Sequence, residues 1–246
     1  MLNLHKRYEL ALRKQNDNTI VIGIGHSPNI GYHVFPDRND LTEQTRIASR
    51  VAIEHLLNKK IKTIYITRPI DHTDMEDHTK AWQLPIYECF LDYITKTQLH
   101  TLLINKDIQV HPFPLPHHER NFHDCFLLAD EMEHATITQT KNLLMTVGQD
   151  CHLVINGNTS YPTSNSNGLT SFNGVNGLND LLRRIELHYE FSDESCFDVI
   201  TFNRKSLTHE TSASASGTTS ECGFRGNQRN FVKKIMRMYE PSIRQM

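Results

Sequence analysis

The stretch Thr19-Ile20-Val21-Ile22-Gly23-Ile24-Gly25 constrains this chain more than any other. From Ile20 onward no polar residue interrupts it, so it reads as a strand buried on both faces. Such a strand belongs inside a parallel sheet with helices on either side. The residues that follow keep to that rhythm. Asp40-Leu41-Thr42-Glu43 fits a capping box, and Ile47, Val51, Ala52 and Leu56 continue it at helical spacing. A second strand is expected at 61–67. A helix over 79–98 carries Trp82, Ile86, Phe90 and Tyr93, with Pro85 bending it or delaying its start. A third strand covers 107–113. Phe122, Cys125, Phe126, Ala129 and Met132 mark a further helix, and 142–148 a fourth strand. Leu181, Leu182 and Ile185 place a helix at 178–187. A fifth strand spans 197–202, and Phe231, Ile235 and Met238 give a last helix over about 228–239. Ahead of all these, Leu4, Tyr8 and Leu12 share one helical face, as a first helix docked on the core would.

The expected fold is therefore α/β: one domain over residues 1–246, with a mostly parallel sheet flanked by helices. Ligands of such sheets sit at the carboxyl ends of the strands, so the loops after Gly25, Thr67, Phe113, Gly148 and Phe202 are where function is sought. Two segments, 156–177 and 208–220, are dense in Asn, Ser, Thr and Gly and read as mobile surface loops.

Several function classes are disfavoured. No run approaches the roughly 18 apolar residues of a membrane span. The first residues lack the apolar core of a signal peptide. A formal net charge of −2 gives no basic face for nucleic acid. Five scattered cysteines read as reduced thiols of a cytoplasmic protein.

Gly25-His26-Ser27-Pro28-Asn29 is the strongest local signal for chemistry. It places backbone N–H groups, a hydroxyl and an imidazole at the sheet edge, as an anion site such as one for diphosphate would require. An ordinary strand-to-helix turn explains the sequence equally well. It is neither a dinucleotide fingerprint nor a Walker loop, since no Gly-Lys-Ser/Thr follows. The chain carries 15 histidines, but their spacing argues against metal. Asp71 to His78 misses the calcium-loop pattern and reads as a solvated loop. His118 and His123 are five apart, not the four of a zinc helix. No protein-held metal site is expected, and no nucleophile elbow is present.

The order of elements resembles the cis-prenyltransferase family, whose members include undecaprenyl diphosphate synthase, over roughly residues 18–244. The resemblance rests on Thr63-Ile64-Tyr65-Ile66-Thr67, Ile108-Gln109-Val110, Ala129 to Thr136, Thr138 to Leu143, Asp198-Val199-Ile200, and the closing Gly223-Phe224, Asn230-Phe231 and Arg244. It implies a transferase acting on an allylic prenyl diphosphate, with Gly25, Ser27, Asn29, Arg38, Thr67 and Arg204 as diphosphate contacts. His26 stands where that family has its magnesium-binding Asp, and the resemblance makes it the candidate catalytic residue in place of that acid. The late Arg and Glu motif is also missing, and Mg²⁺ is a possible cofactor only. The resemblance further implies a dimer of like or related subunits, with peripheral membrane contact possible. Two other readings stand beside it: a non-catalytic accessory subunit of a prenyltransferase, and another Rossmann-like enzyme such as a cyclodipeptide synthase with Ser27 as acyl acceptor.

Overall fold

A computed structural model describes residues 4–15, 20–25, 43–69, 78–113, 122–159, 176–189, 197–202 and 235–239. Among these residues six strands form one sheet: β1 Ile20–Gly25, β2 Thr63–Pro69, β3 Ile108–Phe113, β4 Cys125–Ala129, β5 Cys151–Asn158 and β6 Phe197–Phe202. Their order is β3-β2-β4-β5-β1-β6, and every pairing is parallel. The helices are α1 Leu4–Lys14, α2 Glu43–Leu57, α3 His78–Leu91, α4 Lys96–Ile104, α5 Ile137–Met145 and α6 Gly177–Tyr189. Residues 235–239 are helical as well.

Each face of the sheet buries its own core. One face packs Val21, Ile64, Ile66, Phe126, Leu128 and Val154 against α1, α2, α3 and α4. The other packs Ile22, Leu127, Leu153 and Ile155 against α5, α6 and the 235–239 turns. This two-sided burial is why β1 and β4 are apolar without alternation. Helix α1 is tied to α2 by ion pairs: Arg13 to Glu54 at 2.5 Å, and Arg50 to Glu9 at 2.5 Å.

The α/β class and the parallel sheet are as the sequence suggests; the middle of the chain is not. The helix expected through Cys125, Phe126 and Ala129 is strand β4, whose five residues are all buried. A short unbroken apolar run satisfies helical and strand spacing alike, and five residues are too few for a helix. The strand expected at 142–148 lies mostly in helix α5, which a capping box starts: the Thr136 side chain accepts from the Gln139 N–H, and Gln139 returns the bond. Gly148 therefore ends no strand. The 156–177 loop begins too early, because Asn156, Gly157 and Asn158 are the end of β5. The helix over 79–98 is two: α3 stops at Leu91, and Thr95 caps α4 with its own capping box. Tyr93 lies between them and is exposed. The remainder of 156–177 and all of 208–220 fall outside the described residues, apart from residues 159, 176 and 177.

Candidate functional site

The carboxyl ends of the six strands fall at Gly25, Pro69, Phe113, Ala129, Asn158 and Phe202. A group of polar side chains gathers there, on the face that α2 covers. Its centre is Asp130, the first residue after β4, which is only 2% exposed. The Thr45 hydroxyl, in the first turn of α2, donates to Asp130 Oδ1 at 2.7 Å. Arg68, at the end of β2, donates through Nη2 to Asp130 Oδ2 at 2.8 Å. The Asp130 N–H is held by the Thr67 carbonyl at 2.9 Å. Both carboxylate oxygens and the backbone are thus fixed by neighbours from two other elements.

Glu131 follows with φ 52° and ψ 41°, in the left-handed region. A non-glycine residue there costs of order 1 kcal/mol or more, and such strain is concentrated at functional sites. The turn sends its side chain back to Arg68, whose Nη1 lies 3.2 Å from Glu131 Oε1. Burial pushes the Glu131 carboxyl up to about 7, against the pull of Arg68 and with Asp130 and Glu133 adding to the rise. Burial also raises Glu133 to about 7, although it accepts the Asn158 N–H at 3.1 Å. Gly157 makes that approach possible: a Cβ there would lie 2.8 Å from Glu133 Oε2 and 2.6 Å from Leu178 Cδ2. Burial also lowers His134, opposed by Glu131.

The floor of the site is β1 and β5. Tyr8 of α1 donates from its hydroxyl to Asn156 Oδ1 at 2.5 Å. Gly23 leaves room for both, since a Cβ there would meet Asn156 Oδ1 at 2.8 Å and Tyr8 at 3.0 Å. At Gly25 a Cβ would lie 2.7 Å from Gln44 Nε2, so the Gln44 amide rests over the end of β1.

Of the residues singled out from sequence, Gly25 is at this edge. Thr67 is fully buried beside it, and its hydroxyl finds no partner among the described residues. His26, Ser27, Asn29, Arg38 and Arg204 lie outside the described residues. So do Asp71 to Asp77, and 114–121 of the second histidine stretch; His123 accepts the Gln149 N–H at 3.0 Å. Among the described residues no three His, Cys, Asp or Glu side chains converge as a metal cage. None of their helices is long and apolar enough to cross a membrane.

Sequence reasoning passed over Thr45, Arg68, Asp130, Glu131, Glu133 and Asn156. A signal was present: five apolar residues run straight into Asp130-Glu131, as when a buried strand delivers two acids to the sheet edge. Placing Cys125 and Phe126 on a helix hid it.

A family model described as "PhoH-like protein" matches residues 42–201. A PhoH-like protein of Synechocystis is 23% identical over 140 residues, covering 52% of this chain and 42% of that relative. The chain thus spans less than half of the curated relative. These matches overturn the cis-prenyltransferase resemblance. The allylic diphosphate transferase, the accessory prenyltransferase subunit and the cyclodipeptide synthase fall with it. The stretch from Ala129 to Leu143, which carried part of that resemblance, is the end of β4, the turn at Met132–His134 and helix α5.

Proposed function

The chain belongs to the PhoH-like protein family, and from that premise we propose that it binds a nucleoside triphosphate at the Thr45–Asp130 edge, with ATPase-type chemistry. The observation that carries this reading is the hydrogen bond from Thr45 to Asp130. In P-loop nucleotidases a Ser or Thr opens the helix after the first strand, and an Asp ends a neighbouring strand; together they hold Mg²⁺. Here Thr45 lies in the first turn of the helix after β1, and Asp130 directly follows β4, which is two positions from β1 in the sheet.

The donors suit that cation. A hydroxyl and a carboxylate oxygen, already in contact, match a hard ion that takes one or two protein ligands and keeps the rest for water and phosphate. Thr45 and Asp130 would hold it, and when bound it would neutralise charge on the terminal phosphates. Glu131 supplies the remaining chemistry. Its carboxyl, raised to about 7, is poised to take a proton from an attacking water near neutral pH. The strained turn at Glu131 fixes that carboxyl beside Asp130.

Gln44 sets the rate. The P-loop pattern has Lys directly before its Ser or Thr, reaching the outer phosphates. With a neutral amide in that place, hydrolysis is expected to be slow relative to binding.

The test is titration of the full chain with a fluorescent ATP analogue, with and without Mg²⁺. Saturable binding strengthened by Mg²⁺ is expected, with Asp130→Asn weakening it about tenfold or more while circular dichroism stays native. Absence of saturable binding by the wild-type chain at millimolar nucleotide would rule the reading out.

A further inference from the structure

Resting on the nucleotide-binding reading, we infer that Arg68 replaces the missing loop lysine: it holds Asp130 and Glu131 in the free protein and moves to the outer phosphates of a bound nucleoside triphosphate.

The charge balance of the edge carries this. Asp130, Glu131 and Glu133 lie on and just after the turn that follows β4. Arg68 touches two of them, at 2.8 Å and 3.2 Å, with its side chain 16% exposed. Where the P-loop pattern would add a second cation, Gln44 is neutral. A triphosphate entering this edge meets carboxylates on β4 and its turn, and needs a cation facing it. Arg68 is placed to serve.

Geometry permits the exchange. Arg68 ends β2, next to β4 in the sheet, so its guanidinium lies beside Asp130. It uses Nη2 on the Asp130 oxygen that Thr45 leaves untouched. A cation held between Thr45 and Asp130 Oδ1 would draw on the charge of the same carboxylate and loosen its hold on the guanidinium. Guanidinium forks match phosphate oxygens as well as carboxylates, so the released group keeps a two-armed partner. One side chain would thus link cation binding to phosphate capture.

The test is a pair of substitutions read by affinity. Fluorescent ATP and ADP analogues are titrated, with Mg²⁺, into wild type, Arg68→Gln, Gln44→Lys and the double variant. Arg68→Gln is expected to weaken ATP about tenfold and to erase most of the preference for ATP over ADP. Gln44→Lys is expected to restore ATP affinity in the Arg68→Gln background, which a purely structural Arg68 would not allow. ATP binding by folded Arg68→Gln equal to or tighter than wild type would overturn the inference, and so would failure of Gln44→Lys to restore it. If Arg68→Gln loses cooperative melting, the charge-balanced double variant Arg68→Gln/Glu131→Gln, which removes the cation together with one of its two carboxyl partners, takes its place. A fall in ATP affinity that Gln44→Lys repairs then sustains the inference, and no fall overturns it. A wild-type chain that binds no nucleotide removes the premise as well, and that outcome is distinct from normal binding with unaffected variants.

Discussion

The two edges of the sheet bury polar groups in opposite ways. At the carboxyl edge Thr45, Arg68 and Asp130 come from α2, β2 and the turn after β4, and satisfy one another. At the amino edge His55 and His152 sit with ring centroids 5.7 Å apart, and His55 also packs edge-on to Phe126. Neither His55 nitrogen finds a hydrogen-bond partner among the described residues. Cys125 and Cys151 lie across the strands with sulfurs 3.6 Å apart, buried on the other face. Lys62 and Asp124 close the rim in an exposed ion pair. At the amino edge the His55 ring is thus buried without a hydrogen-bond partner among the described residues and the Lys62–Asp124 pair lies in water, whereas at the carboxyl edge a charged network is held out of water. The contrast teaches that burial alone does not mark a site. Cross-linking of charges between elements does.

The largest expected effect breaks that network. Asp130→Ala leaves Arg68 with only part of its compensation in a buried place, and should cost about 3 kcal/mol in denaturant unfolding. A cost near zero would mean that the carboxyl edge is no more coupled than the amino edge. Next, Gly157→Ala pushes a methyl into Leu178 and Glu133. We expect a loss of about 1–3 kcal/mol, together with a change in the Glu133 titration followed by carboxyl-labelled NMR.

The third prediction concerns pH. Burial first, then His152, Lys60 and Arg13, lower His55 to about 4, with Glu54 opposing. The unfolded chain binds that proton at higher pH, so His55 makes stability fall as pH drops from about 6.5 through 4. Glu131 and Glu133 act with the opposite sign. Their folded values near 7 exceed the unfolded ones, so their contribution declines as pH rises from about 4.5 to 7. His55→Phe should therefore remove part of the acid-side loss, which His152 shares, and Glu133→Gln part of the loss toward neutrality, in stability profiles measured by urea. The smallest effect belongs to the rim. Lys62→Ala should leave unfolding unchanged at any salt concentration, since the pair is exposed to solvent.

How much of this was legible in the sequence depended on local context. β1 and β6 could be read almost residue for residue, because their apolar runs stand apart from helical patterns. α2 could be read from its apolar spacing. β4 could not, since Phe122 and Met132 on either side supplied spurious helical spacing. The Thr136/Gln139 capping box was a true signal for α5, masked by the apolar Leu143-Leu144-Met145 triplet. The sequence directed attention to the end of β1, whereas the polar side chains of the carboxyl edge come from α2, β2, β5 and the turn after β4. Only tertiary structure brings Thr45, Arg68, Asp130 and Asn156 to one edge, and no spacing along the chain encodes that meeting.

The Tyr8–Asn156 bond has a consequence for how the chain is made. It joins residues 148 positions apart, and β1 beside it pairs only with β5 and β6. At roughly 5–20 residues per second of synthesis, β1 waits on the order of ten seconds for its first strand neighbour. During that interval its apolar edges are open while β2, β3 and β4 can already pair with one another. The nascent chain therefore leaves this apolar strand unpaired longest among the described strands, and shielding it on the ribosome is expected to raise the yield of folded chain.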